Sequence, residues 1–200
     1  MNYLAIDTSS KTLTVIAVNG DKSYVYSEDC GTRHSVALMP AVESALSNVS
    51  LTLDKLDFIA CVVGAGSFTG IRIGVSTVKA FCHALKKPYL AITSFDTLAY
   101  NIDSGSVLAV IDAKHGSYYV AGYKDKKVVL QPDFISQEQL FKLANDYTVV
   151  SYDDLPVEYI KVDISKGLAI AVNEKYLLIS DDIDGLAPLY IRKSQAEEGR

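Results

Sequence analysis

The feature that most restricts the fold is a pattern that occurs twice. Leu4-Ala5-Ile6-Asp7 is a short apolar run ending in a carboxylate, followed by a small polar turn, a β-rich run at 13–18, the hairpin signal Asn19-Gly20 and an alternating run at 23–27. Leu108-Ala109-Val110-Ile111-Asp112 opens the same series again, with runs at 118–123 and 128–131 around the turn Lys124-Asp125-Lys126. Helical periodicity follows each copy, at 32–46 and 69–85 in the first and at 137–144 and 164–177 in the second. Further strands are expected at 58–63, 89–92 and 147–152. The repeat predicts a duplicated α/β unit, two lobes with mixed sheets flanked by helices and a cleft between them. Two unrelated β-meanders would leave a similar trace, because hairpin series are common. The polar stretch 101–106 places the expected lobes at 1–103 and 104–200.

Other features narrow the function class. A length of 200 residues, with 49% hydrophobic and 22% charged, is enough for a substantial core. No apolar run approaches the roughly 18 residues of a membrane span, so no membrane association is expected. The chain enters a strand pattern at once, without a basic leader, so no signal peptide is expected. Cys30, Cys61 and Cys82 are odd in number and widely spaced, which suits a reducing cytoplasm better than a disulfide framework or a zinc site. A formal charge of −5 argues against unaided binding of nucleic acid. His34, His83 and His115 have no partners at ligand spacing, so no metal site is expected.

The densest motif is Gly64-Ala65-Gly66-Ser67-Phe68-Thr69-Gly70-Ile71-Arg72-Ile73-Gly74, between a strand and a helix. It is not a Walker loop: five residues separate Gly64 from Gly70, and Ile71 stands where a lysine is required. A nucleophile elbow needs one residue between glycine and serine, and Gly66 adjoins Ser67 directly. The dinucleotide fingerprint misses at Gly70 by one position. A tight turn with Ser67 or Thr69 capping the helix fits better.

That helix carries two stripes, Ile71, Val75, Val78, Cys82 and Leu85 on one face and Gly70, Gly74, Thr77, Phe81 and Ala84 on another. A surface helix needs only one. The helix from His34 is similar, with Leu38, Val42 and Ala45 on one side and Val36, Met39 and Leu46 on the other; Pro40 should kink it unless it lies in the first turn. Both helices are therefore expected to be covered twice, by each other or by a partner. The turns at Asp7-Thr8-Ser9 and Asp112 are candidate nucleotide sites, since hydroxyls and turn amides donate to phosphate and carboxylates hold a hydrated metal. Asp, Ser and Gly also simply build good turns.

Together these residues resemble the TsaB (YeaZ) family. Ile6-Asp7-Thr8-Ser9, the His34-Ser35-Val36-Ala37-Leu38-Met39-Pro40 helix and the 64–74 signature match family motifs, as do Lys79, Pro88, Ile111-Asp112-Ala113, Gly116 and Tyr118. Pro188-Leu189-Tyr190-Ile191-Arg192 and Ala196-Glu197 match its C-terminus, and Ala65 departs from the family's usual proline. The resemblance implies a duplicated actin-like (ASKHA, ribonuclease H-like) fold. It implies a non-catalytic scaffold and activator in tRNA modification to N6-threonylcarbamoyl adenosine, touching tRNA only through the complex. The partners it implies are TsaD, in a heterodimer, and the ATPase TsaE, with a second copy replacing TsaD when that is missing. ATP or ADP with Mg is expected at the junction. The implied interface is His34, Ser35, Leu38, Met39, Val42, Gly70, Gly74, Thr77, Val78 and Phe81, and the implied signature turn is Gly64, Gly66, Ser67, Thr69, Gly70 and Arg72. TsaD carries a His-x-x-x-His metal motif where this chain has Thr93-Ser94-Phe95-Asp96-Thr97. The rival readings are an independent actin-like ATPase or sugar kinase, and a glycoprotease-like peptidase.

Overall fold

The computed structural model describes residues 1–192; Ala196 and Glu197, part of the C-terminal match, lie outside the described residues. The first copy of the repeat forms β1 (Asn2–Asp7), β2 (Thr12–Asn19) and β3 (Lys22–Asp29), an antiparallel meander. Helix α1 (His34–Asn48), β4 (Phe58–Val62), α2 (Phe68–Leu85) and β5 (Tyr89–Ile92) complete it. β4 and β5 add in parallel, giving the order β3-β2-β1-β4-β5. After α3 (Ser94–Ala99), the second copy forms β6 (Ser106–Asp112), β7 (Ser117–Lys124), β8 (Lys127–Ser136), α4 (Gln137–Leu143), β9 (Thr148–Ser151) and β10 (Ile160–Lys161), followed by α5 (Ile164–Lys175). Its order, β10-β9-β6-β7-β8, repeats the first strand for strand. The chain is a duplicated ribonuclease H-like α/β fold. The copies differ most plainly after their fourth strands: no helix joins β9 to β10, so α2 and the glycine-rich segment before it have no counterpart.

In the first unit, the in-facing side chains of β1 and β2 (Leu4, Ile6, Leu13, Val15) pack under α1 and α2, which contribute Leu38, Ala41, Val42 and Ala45, and Ile71, Val75, Val78 and Cys82. Both helices thus lie on one sheet face, each with an inner apolar stripe. Ser67 caps α2, its Oγ accepting from the Gly70 amide at 3.2 Å. The second unit buries Leu108, Val110, Val120 and Ile135 against Leu140 of α4, whose first turn is closed by a reciprocal Ser136–Gln139 capping box.

The structure adjusts several expected elements. Compact units divide after Ser94 rather than at 103, and Ala171–Leu189 returns to the first unit. Pro40 lies inside α1 and does not end it. β8 runs on through Pro132, which an edge strand tolerates because no ladder bond is needed on its open side. α3 carries little periodicity in its six residues and was not expected. α5 stops at Lys175, two residues earlier than expected, and passes into a 3-10 turn at Tyr176–Leu178.

Candidate partner-binding face

The glycine signature is built into its own fold. Thr8 sits beneath α2 and its hydroxyl donates to the Gly70 carbonyl at 2.7 Å. The Ser67 amide donates to the Ser9 carbonyl at 2.7 Å, and the Ser94 hydroxyl reaches the Ser9 hydroxyl at 3.0 Å. A Cβ on Gly66 would collide with the Ser9 carbonyl, one on Gly70 with the Thr8 carbonyl, and one on Gly74 with the Thr8 hydroxyl. Gly66 also has φ +145, a region that side chains disfavour. Gly64 (φ +118) opens the segment across a cis peptide to Ala65. The small residues therefore let α2 settle onto the turn after β1.

This corrects part of the expected interface. Gly70 and Gly74 face the chain's own Thr8, not a partner. Leu38, Val42 and Val78 are at most 2% exposed because they form the core stripe over the sheet. His34 is buried as well, and its Nε2 has no hydrogen-bond partner. Phe81 is partly buried against the same core. The two-stripe reading assigned the small early residues of α2 to another protein, whereas the β1–β2 turn fills that role.

The nucleotide expectation meets the same geometry. Asp7, Thr8 and Ser9 are each no more than 1% exposed. Asp7 Oδ1 accepts from the Ser9 amide at 2.8 Å, and burial pushes its carboxyl above the ordinary carboxylate range despite the Ser9 hydrogen bonds. A turn with enclosed oxygens and a committed Thr8 hydroxyl does not fit a triphosphate or its metal. Asp112 accepts from the Lys114 amide at 2.7 Å and the Lys114 ammonium at 2.6 Å, and its own amide donates to Asp153 at 2.9 Å. These contacts close the second turn on itself. In the region where the resemblance sets TsaD's histidines, Phe95 is fully buried and Asp96 accepts from the Tyr123 hydroxyl at 3.0 Å.

What remains open is the outer side of the first unit's helices. A groove of about 520 Å³ runs between α1 and α2, with Leu38 at its base. Met39, Phe68 and Ile73 give it apolar walls; Ser35, Thr69, Arg72, Ser76 and Thr77 give it polar ones. Met39 is 41% exposed and neighbouring Val36 75%. The Arg72 guanidinium lies 3.7 Å from the Phe68 ring centroid, a cation–π contact that ties the polar rim to the apolar wall. Ser35, Met39 and Thr77 of the expected interface therefore meet here, above the buried Leu38. Sequence reasoning missed Phe68, Ile73 and Ser76, which with Thr69 and Arg72 form a third face of α2. Their i, i+3, i+4 spacing was the available signal.

The architecture defines a class, and the comparisons agree on it. The family model for TsaD, tRNA N6-adenosine threonylcarbamoyltransferase, matches residues 24–166. The tRNA threonylcarbamoyladenosine biosynthesis protein TsaB of Bacillus subtilis (strain 168) is 31% identical over 98% of this chain and 96% of its own. The Escherichia coli (strain K12) protein of the same name is 27% identical over 75% of this chain and 71% of its own. Among solved structures, YeaZ from Pseudomonas aeruginosa superposes with a TM-score of 0.76 at 22% identity, covering 94% of this chain and 99% of that one. The class is the actin-like fold in its TsaD-related form. Within it, the chain belongs to the TsaB (YeaZ) family.

Among the described residues, no helix is long and apolar enough to cross a membrane.

Proposed function

We propose that this chain is a non-catalytic partner subunit in the synthesis of threonylcarbamoyladenosine on tRNA, and that it docks TsaD through the α1–α2 groove. The supporting observation is the groove: it is apolar at its base, polar at its rim and open, between α1 and α2, the helix without a counterpart in the second unit. Protein interfaces have this anatomy, an apolar centre inside a polar border. Met39, Phe68 and Ile73 are the anchors, and Ser35, Arg72 and Thr77 the rim. TsaE joins the pair, and tRNA is engaged by the complex. An ATP or ADP with Mg at the junction takes its phosphate contacts from the partners, since Asp7, Thr8 and Ser9 are enclosed.

The rival activities lack an equivalent support. Ser67 Oγ accepts from the Gly70 amide as a helix cap, which is a structural role rather than that of an activated nucleophile. The test is reconstitution: TsaD, TsaE, ATP, threonylcarbamoyl donor and tRNA, with and without this chain, read by mass spectrometry of nucleosides. Modification is expected only with the chain present. Equal modification without it, or Mg-ATP turnover by the isolated chain, would contradict the proposal.

A further inference from the structure

The segment that returns to the first unit, Ala171–Leu189, is tied down along its length. Val172 and Leu186 are fully buried. Ser180 exchanges backbone hydrogen bonds with Tyr89 at 3.0 and 2.9 Å, and the Leu189 amide donates to the Val63 carbonyl at 2.7 Å. Between these anchors the 3-10 turn Tyr176–Leu178 leaves three large apolar residues in solvent. They are 48%, 80% and 65% exposed in chain order. Successive residues of a 3-10 turn project about 120° apart, so such a turn can hide one side chain beneath it; this one hides none. Single exposed apolar residues are ordinary, but three in a row on an anchored turn make a patch of the kind that marks an interaction site.

The flank of the patch is acidic. Segment 174–184 holds Glu174, Asp181, Asp182 and Asp184 against one cation, Lys175. Asp181, Asp182 and Asp184 are exposed and make no ion pair among the described residues. Lys79 reaches Asp184 at its backbone carbonyl, 3.3 Å away, which still leaves this surface net negative. The Asp182 amide donates to Ser180 Oγ at 3.1 Å and the Gly185 amide to the Asp182 carbonyl at 3.0 Å, so the acidic turn folds back on itself. Three residues of chain bring Asp181 within about 11 Å of Leu178, a span comparable with the screening length of about 8 Å at physiological ionic strength.

We propose that the Tyr176–Leu178 turn and the acidic turn after it dock a basic amphipathic helix of a partner protein. Its apolar stripe lies on Tyr176, Leu177 and Leu178, and its Lys/Arg flank meets Asp181, Asp182 and Asp184. Charge names this occupant: an anionic membrane surface or a nucleic acid would meet three uncompensated carboxylates. The backbone disfavours a strand, because Ser180 already takes the open hydrogen bonds of Tyr89 at this edge of β5. None of these residues lines the α1–α2 groove, so the surface is separate from the one assigned to TsaD.

The test is fluorescence anisotropy of a labelled leucine–lysine peptide of about five helical turns, its leucines at helical spacing, titrated with the isolated chain. Saturable binding is expected. Leu177→Ser/Leu178→Ser should weaken it at least about tenfold through lost apolar contact. Asp181→Lys/Asp182→Lys should weaken it by a similar factor and admit the leucine–glutamate counterpart. Both pairs are exposed, circular dichroism checks that each variant is folded, and either pair decides the matter alone. Absence of saturable binding overturns the proposal, as does equal affinity for a scrambled peptide of the same composition or an affinity that neither pair moves. Loss of binding on Met39→Asp would place the peptide in the α1–α2 groove, and binding to phosphatidylserine vesicles in place of the peptide would assign the patch to a membrane; either overturns it too.

Discussion

At the scale of single residues, Thr8 and Asp7 carry the argument. Gly70→Ala sets two effects against each other. Alanine is the better helix former by about 1 kcal/mol, but its Cβ would meet the Thr8 carbonyl, backbone that cannot easily yield. Overpacking costs of roughly 1–3 kcal/mol are typical, so the net result expected in a urea titration is destabilisation. A stabilised Gly70→Ala would show that α2 does not rest on this turn. Asp7 yields a pH prediction. Its folded pKa is raised by burial, so its contribution to stability is fully present below the unfolded value and is lost as pH rises through the folded one. Asp7→Asn keeps an acceptor for the Ser9 amide and removes the ionisation. Relative to wild type, the variant should therefore gain stability as pH rises above the ordinary aspartate range, where the buried carboxyl is forced towards ionisation. Parallel pH–stability curves would contradict that environment for Asp7. From the sequence Thr8 reads as a phosphate donor and Asp7 as the holder of a hydrated metal, because a turn of Asp, Thr and Ser has the same composition whether it faces a nucleotide or a helix. Only the position of Gly66, Gly70 and Gly74 above it separates the two.

At the scale of elements, α1 and α2 were legible as helices and as unusually apolar ones, while their outer faces were not. Periodicity gives the direction of the strongest stripe, and that stripe covers the sheet through Val42, Val75 and Val78. A second stripe of small residues reads the same whether a loop or another protein approaches it. The third face, with Phe68 and Ile73, was masked by the polar Thr69, Arg72 and Ser76 that share it. This face supports a prediction with a clean control. Met39→Asp puts charge on an exposed wall of the groove, so its melting temperature should stay nearly constant, while Ile73→Asp, at a side chain partly buried against the core, should lose a little. A core substitution such as Val78→Asp should instead unfold the chain, because a lone buried charge is costly. Comparable melting losses at Met39 and Val78 would mean that the groove is not an open face.

At the scale of the whole molecule, the duplication was readable from two apolar runs ending in Asp7 and Asp112, and the strand orders confirm it. The unit boundary was less readable, because the return of Ala171–Leu189 to the first unit leaves no local mark in composition. The difference between the copies is the informative part. One retains the helix after its fourth strand and the glycines that seat it, and that unit also holds the groove. The central claim is that this groove receives TsaD. Its most direct test is titration of TsaD with the wild-type chain and with Met39→Asp/Ile73→Asp, both shown to be folded. Removing anchors at the centre of an interface costs about 2 kcal/mol or more, or about 30-fold in affinity. A loss of that size is the predicted result; a variant that binds TsaD as tightly as the wild type would contradict the account.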